Sequence, residues 1–249
     1  NGPKAGTPEA DTPEAHYTRG SMLHDKGDIA GAIDRYRSAI ALRPDFAEAH
    51  YNLGIALKDG GNLAHAVAHF RKAAEILPHL LEMQNNLGTA LVDIGKPDEA
   101  VAAYQKALSI SPDDAGIYFN LGVAFKESER WDEAIASYRQ AIVLNPSFAD
   151  AYFNLTQIFE MTNRVEDLRA IVAEGKRHYS GDRRIAFSEA CILKRDGYHA
   201  AARSALEAAG KPILDPVFLA ERAYFLGDLC DRLDDPSAAF QYFAEGGRY

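Results

Sequence analysis

The sequence predicts an all-α fold, a right-handed α-solenoid of antiparallel helical hairpins, and three observations carry that expectation. The first is self-similarity at a step of 34 residues. Ala32, Ala66, Ala100 and Ala134 keep that step, as do Tyr36, Phe70, Tyr104 and Tyr138. So do Ala39, Ala73, Ala107 and Ala141, then Pro44, Pro78, Pro112 and Pro146, and Gly20, Gly54, Gly88 and Gly122. The second is that these series fall on helical faces. Within one unit Leu53, Gly54 and Leu57 share a face of a first helix, while Ala66, Phe70 and Ala73 share a face of a second. The third is punctuation, with Gly61-Asn62 between the two helices and Pro78 after them. A unit this short cannot bury its apolar face alone, so neighbours stack into a continuous core.

Each element has a local reason. Gly54 and Ala66 are small, which lets two helices approach, and Phe70 fills the space beyond. Glycine and asparagine at 61–62 end a helix in the left-handed region. Proline lacks a donor and clashes with the preceding turn, so Pro78 stops the second helix. Asp45, Asp113 and Ser147 follow the prolines and read as N-caps of the next hairpin. Residues 1–12 read as a flexible tail, 13–148 as four regular units, 149–182 as a degenerate unit and 183–249 as irregular hairpins. In the degenerate unit Thr156 stands where glycine is expected. There Leu168, Val172, Gly175 and Ser180 replace alanine, an aromatic, alanine and proline. Breaks at Asp196-Gly197 and Lys211-Pro212 mark further hairpins, and Leu226, Gly227, Ala239 and Phe243 restore the motif in a new register.

This pattern resembles the tetratricopeptide repeat, strongly so over residues 13–146. The large aromatic of that family near the start of the first helix is replaced by His16, His50 and Gln84, then appears as Tyr118 and Tyr152. The resemblance implies a superhelix whose concave face is lined mostly by first helices. It places the second, fifth, sixth, ninth, twelfth and thirteenth residues of each unit inward. The sixth residues are Thr18, Asn52, Asn86, Asn120 and Asn154, four asparagines in a ladder. A carboxamide holds both a donor and an acceptor and so matches a peptide unit. The arrangement is similar to the asparagine ladder of O-GlcNAc transferases, which grips substrate polypeptides. Bonding between neighbouring helices is the other role open to these side chains. The fifth residues, Tyr17, Tyr51, Asn85, Phe119 and Phe153, offer an aromatic floor for a peptide's apolar groups, with hairpin packing as their other use. The remaining inward places hold Glu14, Glu48, Glu82, Asp150, Asp59, Asp93 and Glu127 against Lys58 and Lys126, which favours a ligand bearing Lys or Arg. The lysine-rich clamp of chaperone-binding members is not matched, because Tyr17, Ser21, Asn52, Glu82 and Asn86 stand at its places.

The formal charge of −9 argues against nucleic acid or an anionic membrane as the main partner, since phosphate binding needs a basic surface. Cys191 and Cys230, the two cysteines, lie in helical apolar patterns and read as buried free thiols. No apolar run reaches the ~20 residues of a membrane span. Residues 1–12 carry no signal-peptide core, so a cytoplasmic location is the default. No phosphate loop, nucleophile elbow or dinucleotide fingerprint is present. His65 and His69 lie four apart on a second helix and read as solvent-facing, with no third ligand nearby. No cofactor, metal or catalysis is expected. The function that follows is a scaffold for protein–protein interaction, holding an extended peptide in its groove, with self-association through the terminal repeats as a further partner. The alternative is a substrate-recruiting module of a larger glycosyltransferase or sulfotransferase. The stretch from Leu226 to Gly246 is similar to the last repeat before some bacterial sulfotransferase domains.

Overall fold

The computed structural model describes residues 11–178, 183–209 and 216–248. Every element in that set is an α-helix. First helices of the hairpins are α1 (Pro13–Asp25), α3 (Ala47–Asp59), α5 (Leu81–Asp93), α7 (Ala115–Glu127), α9 (Ala149–Met161), α11 (Arg183–Arg195) and α13 (Pro216–Arg232). Second helices are α2 (Ile29–Leu42), α4 (Leu63–Ile76), α6 (Pro97–Ile110), α8 (Trp131–Leu144), α10 (Val165–His178), α12 (His199–Ala209) and α14 (Pro236–Gly246). The starts from α1 to α11, and from α2 to α12, keep the 34-residue step without a slip. Ser180 and the Lys211-Pro212 turn lie outside the described residues, as does most of the tail expected at 1–12. Thr12 caps α1, its hydroxyl accepting from the Ala15 N–H.

The chain forms two compact units, residues 1–137 and 138–249, with the division inside α8. In the first, each hairpin packs its own helices together and then sets its second helix on the next first helix: α2 on α3, α4 on α5, α6 on α7. The second unit repeats this with α9 to α14 in chain order. Each unit is therefore a solenoid of helical hairpins.

The turn inside each hairpin keeps the step. Gly27, Gly61, Gly95, Glu129, Asn163 and Gly197 all take positive φ, between 55° and 84°. The next residue then donates its N–H to a carbonyl five residues earlier, as in Asn62 to Leu57 at 2.7 Å and Arg164 to Phe159 at 2.8 Å. This bond closes the helix end and satisfies a carbonyl left open there. The seventh turn, at Asp234, comes 37 residues after Gly197 and makes the same bond, Asp235 to Cys230 at 2.9 Å.

The N-caps differ from the sequence expectation. Asp45, Asp113 and Ser147 precede the caps, which are Phe46, Asp114 and Phe148. Of these three Asp114 alone caps with its side chain, accepting from the Ile117 N–H at 3.0 Å. Phe46 packs instead on Ala39, Ala49 and the Tyr17 ring, with centroids 5.1 Å apart. Burying such a ring contributes about 1.5–3 kcal/mol, against about 1 kcal/mol for a polar cap. Packing wins.

Inside the hairpins the repeated small residue and the repeated ring adjust to one another. A carbon added at Gly20, Gly54, Gly88 or Gly227 would stand 2.5–2.7 Å from a ring carbon of Tyr36, Phe70, Tyr104 or Phe243. In the fifth and sixth hairpins Thr156 and Ala190 occupy the glycine's place, and Val172 and Leu206 occupy the ring's. Bulk has moved from one helix to the other. In the first and third hairpins, where the ring is tyrosine, a hydroxyl three places past the sixth residue meets it: Ser21 with Tyr36 at 3.3 Å, Thr89 with Tyr104 at 3.1 Å. Phe70 needs none, and its unit has Ile55 there.

His69 is not solvent-facing as expected. Its Nδ1 lies 3.0 Å from Nδ1 of buried His50, whose Nε2 is 3.0 Å from the Pro44 carbonyl. A carbonyl only accepts, so His50 donates through Nε2 and receives the His69 N–H at Nδ1. Burial, then the neighbouring His50, Arg37 and His65, lower the His69 pKa from 6.5 to about 4. Burial, opposed by the Pro44 bond, also lowers that of His50, with Lys72 adding to the effect. The unfolded chain therefore binds more protons between pH 6.5 and about 4, and stability present above that window falls as the pH drops through it. The equivalent places one unit on hold Gln84 and Ala103, and Gln84 likewise donates to a proline carbonyl, that of Pro78. His50→Gln/His69→Ala copies that arrangement. The urea midpoint of the native chain is expected to drop between pH 7 and 4.5 more than that of the variant. Equal drops would discard the histidine pair as the cause.

Cys191 and Cys230 are buried free thiols, as the sequence indicated. Among the described residues no helix is long and apolar enough to cross a membrane.

Candidate peptide-binding face

The ladder asparagines of the first unit do not stand alone. Asn52 Nδ2 donates to the Tyr17 hydroxyl at 3.0 Å, and Asn86 Nδ2 to the Tyr51 hydroxyl at 2.5 Å. Asn120 Nδ2 donates to Asn85 Oδ1 at 3.0 Å. Each bond spans 35 residues and ties the sixth residue of one hairpin to the fifth of the hairpin before it. The carboxamides thus bond neighbouring helices through their nitrogen. The fifth-place rings also pack within their hairpins, Tyr17 against Tyr36 at 6.0 Å and Tyr51 against Phe70 at 5.8 Å. Burial raises the Tyr51 pKa, partly offset by the Asn86 bond, so the hydroxyl keeps its proton.

These bonds leave at least one donor and one acceptor at each link. A tyrosine hydroxyl that accepts from asparagine still has its own proton to give, and an asparagine that donates through Nδ2 still has its oxygen. Oδ1 of Asn52, Asn86 and Asn120 and the protons of Tyr17 and Tyr51 find no other partner among the described residues. Phe119, half-buried on α7, brings a ring without hydrogen-bonding atoms.

A second track runs at the same 35-residue spacing. His24 Nε2 lies 2.8 Å from Asp59 Oδ2, and Lys58 Nζ lies 3.5 Å from Asp93 Oδ2. The series stops at Glu127, because Val92 stands where its cation would be. Arg43 pairs with Glu14. Among the described residues Glu48, Glu82 and Glu127 have no ion pair.

Asn154 and Phe153 belong to the second unit and sit differently. Asn154 Nδ2 donates to the Asp150 carbonyl of its own helix at 2.9 Å. Arg184 pairs with the Asp150 carboxylate and lies over the Phe153 ring at 5.8 Å. The geometry therefore groups Asn52, Asn86, Asn120, Tyr17 and Tyr51 on linked hairpins, and it sets Asn154 and Phe153 among local partners. Sequence reasoning held open bonds to neighbouring helices, but it did not name Tyr17, Tyr51 or Asn85 as the partners. The signal was the adjacency of fifth and sixth places, a hydroxyl or carboxamide beside each asparagine.

Comparison with known proteins agrees with this architecture. A family model described as TPR repeat matches residues 20–59, 88–128 and 124–163, and one described as tetratricopeptide repeat matches 47–80. The chain belongs to the tetratricopeptide-repeat family. No curated protein sequence matches it. Among solved structures it is similar to MamA, at 24% identity and a TM-score of 0.64, over 68% of this chain and 92% of that one. It is also similar to YrrB, described as a TPR protein with an unusual peptide-binding site, at 19% identity and a TM-score of 0.63, over 70% and 90%. A tetratricopeptide repeat protein from Parabacteroides merdae ATCC 43184 aligns over 95% of this chain and 92% of its own, at 16% identity and a TM-score of 0.72. Such likenesses speak to the fold.

Proposed function

We propose that this protein is a non-catalytic scaffold for protein–protein interaction, and that the first-helix face of its first unit holds an extended polypeptide by the backbone. The observation that carries this is the pairing of Tyr17 with Asn52, Tyr51 with Asn86 and Asn85 with Asn120. Each pair is held in place by its own internal bond, so its outward donor and acceptor are ordered before a ligand arrives, which lowers the entropy lost on binding. A peptide carbonyl accepts from the hydroxyl or amide, and a peptide N–H donates to an asparagine oxygen. Such contacts read the backbone and tolerate many side chains. The description of YrrB as a peptide-binding TPR protein supports the same use of this fold.

The test is binding to a random peptide array by three proteins. One is the intact chain, one carries alanine at Asn52, Asn86, Asn120 and Asn154, and one carries Tyr17→Phe/Tyr51→Phe. The phenylalanine variant keeps both rings and removes the two hydroxyls, and with them both the outward protons and the acceptors that hold Asn52 and Asn86. Binding by the intact chain is expected to fall about tenfold in the phenylalanine variant, as for two neutral hydrogen bonds, and further in the alanine variant. Circular-dichroism melts identify any variant that loses structure. Absence of binding by the intact chain, or undiminished binding by a well-folded phenylalanine variant, refutes the proposal.

A further inference from the structure

The charge on the first helices changes sign along the chain at one repeated place. The thirteenth residues are Asp25, Asp59, Asp93 and Glu127 in the first unit, then Met161, Arg195 and, after the three-residue shift of α13, Arg232 in the second. In the second unit this place borders a pocket of about 350 Å³ lined by Glu160, Leu168, Cys191, Lys194, Phe225 and the two arginines. Three cations meet there, and their charge is only partly spent. Lys194 Nζ and Arg232 Nε converge on a single oxygen of Asp228, at 2.7 and 3.0 Å. Arg195 donates to Asn163, a neutral partner. Glu160 is the carboxylate of the lining itself; it has no ion pair among the described residues and offsets one of the three cations. The Phe225 ring stands among these charged groups, its centroid 4.3 Å from Lys194 Nζ and 5.3 Å from that of Phe187 behind it.

We propose that this pocket is a second docking site, which takes an aspartate or glutamate side chain of a partner polypeptide. Arginine presents planar, paired donors that match a carboxylate, and the terminal nitrogens of Arg232 are not used by Asp228. The part-exposed Phe225 ring, backed by buried Leu168 and Cys191, gives the methylene stem of such a side chain an apolar contact, which inorganic anions do not need. The site is independent of the asparagine–tyrosine pairs, and either can fail without the other.

A fluorescein-labelled dodecapeptide alternating glutamate and alanine, with a twin carrying glutamine for glutamate, tests this by anisotropy on the full chain. The glutamate peptide is expected to bind at least tenfold tighter than its twin, and Arg195→Gln/Arg232→Gln to remove about tenfold of that preference. Arg232→Lys, which keeps the charge, should recover part of it and guards against a fold defect. Alanine at Asn52, Asn86 and Asn120 should leave the preference unchanged. Equal binding of the two peptides overturns the proposal. So does displacement by inorganic phosphate at matched ionic strength, which would mark a site for free anions.

Discussion

Tyr104→Ala is expected to destabilise the protein by about 3–5 kcal/mol, the range for deleting a large buried ring. Tyr104 is 2% exposed and sits between α5 and α6. Burial raises its pKa to about 12, and the hydroxyl is satisfied by Thr89 Oγ1 at 3.1 Å. Nothing nearby is free to fill the gap, because Gly88 offers no side chain and its neighbours Leu87 and Ala90 are already buried. Tyr104→Phe separates ring from hydroxyl. It should cost about 1 kcal/mol, since Thr89 keeps its own bond to the Asn85 carbonyl at 3.1 Å. Urea unfolding followed by circular dichroism measures both. A cost below about 1 kcal/mol for the alanine variant would mean that the helices close over the void, and the ring would lose its place as the core of the hairpin.

Gly88→Ala should destabilise as well, although alanine is the better helix former. Propensity favours alanine by about 1 kcal/mol, while overpacking a full core costs about 1–3 kcal/mol. The added carbon would stand 2.6 Å from Tyr104 Cε1 and 2.7 Å from Cζ, and a buried ring has nowhere to retreat. The steric term wins, for a net loss of up to about 2 kcal/mol. The sign should reverse in the Tyr104→Ala background, where the methyl enters the vacated space and propensity is no longer opposed. A double-mutant cycle reads that coupling directly. If Gly88→Ala destabilises equally with and without the ring, the clash is not its cause.

The fold was legible in the sequence because its determinants recur. Gly54 under Phe70 and Gly88 under Tyr104 are one contact written twice, and a contact repeated at a fixed step shows without coordinates. The degenerate fifth unit was harder for the same reason. Thr156 with Val172 meets the same packing need with different residues, so the series broke while the hairpin persisted. The capping error at Asp45 arose because polar propensity was weighed without the burial available to Phe46, one residue on. Of the candidate site, the recurrence of Asn52, Asn86 and Asn120 was legible in the spacing, and the family resemblance supplied its inward placement. The bonds to Tyr17, Tyr51 and Asn85 depend on which hairpin lies against which, and periodicity does not carry that. His69 was placed in solvent because its partner, His50, sits on another helix at a site where the family carries an aromatic.

The left-handed turn has a consequence for how this chain tolerates change. Spacing around it is fixed within each hairpin. Gly227, the turn at Asp234 and Phe243 keep the spacings of Gly54, Gly61 and Phe70, so the shift of the last motif is carried by the hairpin as a whole. A length change ahead of a hairpin moves it along the sequence and leaves its internal frame, closed by the bond from Asp235 to Cys230, intact. Gly, Glu, Asn and Asp have each held the turn here, so the frame is kept by a backbone bond and not by a particular side chain.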